Sequence, residues 1–221
     1  VHPGLQLKYI NKDRQLSLIR KTESGIQMPF FNSFHQMDMM VDAIYWKIDD
    51  PLMELKMVSG AGESKMILES TSLYTDFRYE KLQGMSETNP LYILKQYAER
   101  NSRTVFIPDF AKYLKVNETN ARSLIYFLAE QGFVSFDPET DEAVMNDKLY
   151  YYLSARNNKT DYDKLEVASV IDAVPNAKLN LLNFDLDLQG VSRIMISDSQ
   201  SVFIVPKDQE VKLKKNRDME F

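Results

Sequence analysis

Two histidines are the side chains of this sequence best suited to acid–base or metal chemistry near neutral pH. An imidazole can donate a proton, accept one or bind a metal because its ordinary pKa is about 6.5. His2 and His35 both fall in a region patterned like strands, and no third ligand lies at a motif spacing from them. We therefore expect ordinary hydrogen-bonding roles for both, and predict no metal site and no cofactor.

Aspartates in the same region form a second candidate group. Asp38 and Asp42 lie four residues apart in Met37–Ile48, which alternates like one long strand, so both side chains could share a face. Asp49 and Asp50 follow at its end. Paired carboxylates can work as acid and base or bind a hard cation. Nothing in the sequence makes these four converge, so turn and edge roles are the favoured interpretation.

A second aspartate pair lies near the end of the chain. The stretch Leu179–Leu188 alternates strictly, with Leu182 and Phe184 among the side chains of its apolar face and Asp185 and Asp187 on its polar face. Like charges on one strand face are tolerable when they are solvated or when a cation lies between them. An exposed strand face is the favoured interpretation, and no catalytic residue is predicted.

Composition excludes several further kinds of chemistry. The absence of cysteine excludes disulfides and thiolate nucleophiles. The segment Ser59–Lys65 lacks the spacing of a phosphate-binding loop. A net charge of −5 speaks mildly against a chain dedicated to nucleic acid. No run of about 18 apolar residues occurs, so no membrane-spanning helix is predicted. No signal peptide is recognised, and the start at Val1 leads us to expect a segment of a larger protein.

The middle of the chain has the periodicity of helices. Asn89 and Pro90 are typical of a helix start, Pro108 begins a second helix, and Gly132 ends a third. A short strand precedes the second helix, and a two-stranded hairpin and a last helix follow the third. This order resembles the winged-helix family, on the segments IPDFAKYL (107–114) and ARSLIYFL (121–128).

A winged helix suggests DNA binding, but the charges argue against it. In this family the third helix presents polar or basic side chains to the major groove, which here makes Asn120, Arg122 and Tyr126 the weak candidates. Residues 89–153 carry seven basic and nine acidic residues, and the wing, residues 137–142, has four acids. Such a wing would repel phosphates, so we favour a structural or protein-contact role.

Both flanks of this middle segment have the alternation of short strands. The fold class predicted is therefore α+β, with two flanks forming a β body and a winged-helix-like domain inserted between them. The predicted divisions are a β-rich flank at 1–75, a connector with a possible short helix at 76–88, the insert at 89–153, a connector at 154–162, and a second β-rich flank at 163–221.

The flanks also resemble internal segments of large uncharacterised envelope proteins of Bacteroidetes-type bacteria. The resemblance rests on HPGLQLKY (2–9), the run from FNSFH (31–35) to Tyr45-Trp46, LNLLNFDLD (179–187) and the stretch 191–198. It implies export to the periplasm or cell envelope and many β segments, but transfers no catalytic residue. A cytoplasmic location is the alternative.

We accordingly expect a non-enzymatic structural or protein-interaction segment, whose partner is the rest of a longer polypeptide or another protein. The first alternative is a winged-helix nucleic-acid binder. The second is a site for a ligand or carbohydrate on the β body. The oligomeric state is left open by the sequence.

Overall fold

The computed structural model describes residues 5–20, 28–58, 65–84, 87–159, 165–170, 175–196, 202–206, 209–215 and 217–221. These residues form a strand-rich α+β protein with several antiparallel sheets and five helices. The chain divides into two compact units. The helical unit is mainly Thr71–Asp163, and the strand unit is mainly Gly4–Gly25, Pro29–Ser70 and Lys164–Phe221.

Along the chain, the elements of the helical unit lie between two groups of strands that belong to the strand unit. The strands are β1 (Leu5–Ile10), β2 (Gln15–Arg20), β3 (Phe30–Asn32), β4 (Met37–Met40), β5 (Ala43–Lys47), β6 (Leu52–Lys56), β7 (Lys65–Ser70), β8 (Thr104–Phe106), β9 (Val134–Asp137), β10 (Glu142–Met145), β11 (Leu165–Val170), β12 (Ala177–Asn180), β13 (Leu186–Leu188), β14 (Val191–Ile196), β15 (Val202–Ile204), β16 (Val211–Leu213) and β17 (Met219–Glu220). The helices are α1 (Asp76–Gln83), α2 (Pro90–Arg100), α3 (Ile107–Leu114), α4 (Glu118–Glu130) and α5 (Asp147–Arg156).

The strand unit consists of two sheets that share one hydrophobic core. The larger sheet has eight strands in the order β1-β2-β5-β6-β12-β13-β16-β17, and the smaller has six in the order β15-β14-β11-β7-β4-β3. Leu55 and Leu188 of the larger sheet lie in the same buried cluster as Met66 and Leu68 of the smaller. Burying the apolar faces of two sheets against each other is the arrangement of a β-sandwich.

The prediction of one long strand at Met37–Ile48 is wrong. β4 belongs to the smaller sheet and β5 to the larger, and the chain passes between the sheets at Val41 and Asp42. Val41 and Ala43 are both fully buried, so the alternation of apolar residues continues through the crossing. Sequence periodicity therefore could not reveal the bend.

The prediction of one strand at Leu179–Leu188 is also wrong, since the segment is a hairpin. Asn180 ends β12, and its side-chain oxygen accepts a hydrogen bond from the backbone N–H of Leu182 at 2.9 Å. Phe184 has a φ of +63°, in the left-handed region. Side chains of asparagine that bond the backbone two residues on favour turns over strands. Leu182 is consequently 79% exposed instead of facing the core.

Helices of the helical unit begin and end at residues that are typical helix caps. The predicted short helix is confirmed as α1, which has Thr75 as its N-cap and Gly84 as its C-cap. The predicted start of α2 is confirmed as well, because the Asn89 side chain accepts a hydrogen bond from the N–H of Leu91, and Pro90 occupies the first turn. A small sheet with the order β8-β10-β9 completes the unit.

A core of its own holds the helical unit together. Leu91 and Leu94 of α2, Phe110 of α3, Ile125 of α4 and Tyr152 of α5 are all fully buried in one cluster. The buried faces of α2, α3 and α4 recur at three- and four-residue spacing, which is why their periodicity was readable from the sequence.

Candidate functional site

The three residues considered for nucleic-acid binding lie on α4. The only basic side chain of this helix, Arg122, already forms an ion pair within the chain. Both terminal guanidinium nitrogens of Arg122, Nη1 and Nη2, donate to the carboxylate of Asp141 in the turn between β9 and β10, with Nη2–Oδ2 at 2.8 Å. This hydrogen bonding raises the pKa of Arg122 and lowers the pKa of the Asp141 carboxyl. Both shifts favour the ionised pair. The charge of Arg122 is therefore compensated by Asp141, whereas a DNA-binding helix would need this guanidinium free to bind a base or a phosphate.

The other two candidates on α4 also make contacts within the chain. Asn120 is exposed, and its backbone N–H donates to the side chain of the N-cap residue Asn117 at 2.8 Å. Tyr126 packs edge-on against Phe136, with ring centroids 5.1 Å apart, and is half-buried. Its ring therefore supports the hairpin instead of standing free to stack on a base.

Of the two histidines, His35 lies among the described residues and His2 lies outside them. His35, in the turn between β3 and β4, is only 1% exposed, and neither ring nitrogen has a hydrogen-bond partner among the described residues. Burial lowers the pKa of His35, although backbone groups of Leu213 and Phe184 favour the protonated form. His35 is a neutral core side chain near neutral pH.

Asp38 and Asp42 do not share a strand face, which corrects the expectation for this pair. Asp38 is buried within β4. Asp42 lies in the short segment that connects β4 to β5, where its Oδ2 accepts a hydrogen bond from the N–H of Val58 at 2.9 Å. The bend that separates β4 from β5 is the physical reason, since residues four apart share a face only within one strand.

Asp49 and Asp50 occupy the turn between β5 and β6. Asp49 forms an exposed ion pair with Arg14 at 2.8 Å. Asp50 caps the turn, because its Oδ1 accepts a hydrogen bond from the N–H of Leu52 at 2.9 Å. The turn and edge roles expected for these two residues are confirmed.

Asp185 and Asp187 both follow the turn of this hairpin, Asp185 directly before β13 and Asp187 within it. Asp185 accepts a hydrogen bond from the Asn183 side chain at 2.9 Å. Asp187 lies in β13, with one carboxylate oxygen 3.5 Å from Lys212 Nζ on β16. Among the described residues, no three of histidine, aspartate or glutamate are grouped so as to hold a metal ion.

Sequence reasoning missed a row of polar side chains that crosses all eight strands of the larger sheet. In strand order, the residues directly opposite one another are Lys8, Ser17, Tyr45, Glu54, Lys178, Asp187, Lys212 and Glu220. Residues directly opposite on antiparallel strands point to the same face and interact. From Glu54 to Glu220 the charge alternates at every strand. We call this set the charged row.

A cavity of about 540 Å³ lies at the end of the charged row. Lys178, Asp187, Lys212 and Glu220 line it, together with Phe221. Its lysines and acids neutralise one another across the strands, and it contains no histidine or cysteine. The lining is therefore a polar surface on which opposite charges face each other across neighbouring strands.

The two edges of the larger sheet carry exposed apolar side chains. Among the described residues, β1 pairs only with β2, and β17 only with β16. Leu7 and Tyr9 on β1 are 65% and 45% exposed, and Phe221 beside β17 is 66% exposed. An edge of this kind presents unpaired backbone groups and apolar surface to another strand. The alternation of Leu5, Leu7 and Tyr9 predicted the strand, but only the strand order places it at an edge.

The smaller sheet has a similar edge at β15. Phe203 and Ile204, on opposite faces of that strand, are both exposed. The candidate functional surfaces of the strand unit are therefore strand edges rather than a pocket.

Comparison with known proteins gives no relative for this chain. No protein-family model, no curated protein and no solved structure matches it. Within the part of the chain that the structure describes, no helix is both long and apolar enough to cross a membrane.

Proposed function

We propose that this chain is a non-enzymatic structural or protein-interaction segment of a larger envelope protein, and that it makes contacts through strand edges. The observation that carries this proposal is the exposure of Leu7 and Tyr9 on β1, a strand paired on one side only among the described residues. Exposed apolar side chains on an unpaired edge favour association with another polypeptide strand. The partner is another part of a longer polypeptide or a second protein.

For the helical unit we propose a winged helix that serves as a structural or protein-contact module. The order α2-β8-α3-α4-β9-β10-α5 and the three-stranded sheet support that fold. The Arg122–Asp141 ion pair supports a role other than DNA reading, since it neutralises the one basic residue of α4. The envelope location rests on the resemblance of the flanking sequences to large envelope proteins of Bacteroidetes-type bacteria.

Site-specific photocrosslinking tests the proposal in the full-length protein in its native cell. A photoreactive residue in place of Tyr9 is expected to crosslink to a polypeptide, either a distant part of the same chain or a separate protein. The matched control is Leu182, which is also exposed but lies in a turn instead of an edge strand. Equal crosslinking at both positions, or none at Tyr9, would remove the support for an edge contact.

A nucleic-acid binding assay at low salt tests the alternative function. We expect weak binding of duplex DNA and no loss of affinity in Arg122→Ala, because Arg122 is already paired with Asp141. Tight binding that falls steeply with salt and depends on Arg122 would contradict the protein-contact role of the helical unit.

A further inference from the structure

We propose that a second copy of this chain adds its β1 strand to the β17 edge of the first copy, antiparallel, with Lys8 opposite Glu220. This inference rests on the proposed function, because it names the partner of the edge contact. Three features of the larger sheet support it: strand direction, the charged row and the apolar rows on the opposite face.

Strand direction permits the contact. Every neighbouring pair in the larger sheet is antiparallel, so direction alternates across the eight strands and β1 and β17 run in opposite senses. A second copy that continues the twisted sheet, and is therefore rotated as well as shifted, presents its β1 antiparallel to β17 of the first. No strand has to reverse or move for the sheet to continue.

The charged row sets the register. Lys8 lies at one end of this row and Glu220 at the other. Placing Lys8 of the second copy opposite Glu220 continues the alternation of charge that runs from Glu54 across the sheet. Glu220 already pairs with Lys214 in its own chain, while Lys8 has no ion-pair partner among the described residues. The contact supplies Lys8 with a carboxylate.

The same register continues the apolar rows. Met219 lies opposite Leu213, so Phe221 takes the position beside Val211. With Lys8 opposite Glu220, antiparallel geometry places Tyr9 opposite Met219 and Leu7 opposite Phe221. The most exposed apolar side chains of both edges, at 65% for Leu7 and 66% for Phe221, then cover each other. One register thus satisfies the charge and both apolar positions.

Pairing of β1 with β1 of a second copy is a poorer fit. Centred on Lys8, it would place two lysines directly opposite each other, which is destabilising. Centred on Leu7, it would leave Lys8 opposite Gln6 without a carboxylate. The β1–β17 contact joins two different surfaces, so each added copy leaves a free β1 edge and a free β17 edge, and assembly continues beyond two copies.

Sedimentation analysis of the 221-residue chain, from micromolar to near-millimolar concentration, tests the inference. We expect the average mass to rise past that of a dimer as concentration increases. Leu7→Lys should abolish the rise, because an inward-pointing charge on an edge strand blocks pairing. Leu182→Lys is the matched control, because it adds the same charge at a similarly exposed site away from the edge, and it should leave the association unchanged.

Charge reversal tests the register. Lys8→Glu should weaken association about tenfold, because attraction across the new strand pair becomes repulsion. Glu220→Lys should weaken it as well, and an equimolar mixture of the two variants should restore association, since each junction then pairs opposite charges. Failure of the mixture to recover would overturn the register, and with it the inference.

The remaining outcomes separate this inference from the proposed function. A chain that stays monomeric, stops at a dimer, or responds equally to Leu7→Lys and Leu182→Lys overturns the second-copy contact. If the Tyr9 photocrosslinker then captures a different polypeptide, the protein-contact function stands without it. If Tyr9 also crosslinks to nothing, both proposals fail.

Discussion

His35 shows how a single residue of the strand unit responds to its surroundings. Its ring is buried, and Asp185 and Arg217 are the charged groups whose fields reach it. Asp185 favours the imidazolium and Arg217 opposes it, while desolvation outweighs both and lowers the pKa. A buried base held neutral by desolvation links folding to pH.

The first prediction is that acid destabilises the strand unit through His35. The folded pKa lies below the unfolded value of 6.5, so the unfolded state binds the proton more tightly. The contribution of His35 is complete above pH 6.5 and declines as the pH falls below it, by at most about 1.4 kcal/mol per pH unit. Urea midpoints measured between about pH 8 and pH 5 check this, since the carboxylates titrate mainly below that range.

His35→Leu is the control for this titration. It removes the titrating ring while keeping an apolar side chain in the core, so the midpoint should vary less with pH between those limits. An unchanged pH dependence in His35→Leu would show that other groups are responsible.

The second prediction concerns the ion pair between Arg122 and Asp141. Both side chains are about a third exposed, so Asp141→Asn should cost about 1 kcal/mol or less of unfolding free energy. Asparagine suits this site because Asp141 has a φ of +58°, a conformation that asparagine tolerates. A double-mutant cycle with Arg122→Gln measures the coupling, and additive effects of the two substitutions would mean that the pair contributes nothing.

At the scale of elements, the sequence predicted features that local residues determine. Thr75 and Gly84 bound α1, and Asn89 begins α2, because caps act on backbone groups a few residues away. The bend at Asp42 and the turn after Asn180 were missed. The bend depends on β4 and β5 joining different sheets, which is a tertiary feature. The turn interrupts an alternation of apolar residues that is typical of a single strand.

The candidate edge site was predictable only in part for the same reason. The alternation of Leu5, Leu7 and Tyr9 indicated a strand, but its edge position depends on the pairing of all eight strands. The match between Lys8 and Glu220 depends on seven successive registers between segments far apart in the chain. No local pattern encodes it, because register is set by tertiary pairing.

The third prediction tests a cap that also joins two elements. Asn89 is buried, accepts a hydrogen bond from the Leu91 N–H, and donates one from Nδ2 to the Tyr79 carbonyl of α1 at 2.9 Å. Asn89→Ala removes both the cap and the bond to α1, so we expect a loss of about 2 kcal/mol in unfolding free energy. Chemical denaturation measures it.

Asn117→Ala is the matched control, because Asn117 caps α4 from an exposed position. It should cost only about 1 kcal/mol, the value of a cap alone. Equal losses in the two variants would mean that the bond from Asn89 to α1 adds nothing.

At the scale of the whole molecule, the two units have separate hydrophobic clusters among the described residues. Leu91 belongs to the cluster of the helical unit, and Leu68 to that of the strand unit. Because stability arises from burial within a core, each unit can open as its own cooperative region. The chain leaves the strand unit after β7 and returns to it at β11, so these units are separate in packing although not in sequence.

The fourth prediction is that core substitutions act within their own unit. Leu91→Ala and Leu68→Ala both remove fully buried methyl groups, so each should cost about 2 to 5 kcal/mol. Hydrogen exchange should show lost protection in α2 to α5 for Leu91→Ala, and in β4, β7 and β11 for Leu68→Ala. Each variant thereby serves as the control for the other. Loss of protection throughout the chain in both variants would mean that the two cores unfold as one. Losses confined to the substituted unit would allow the strand edges to be studied in a variant whose helical unit is weakened.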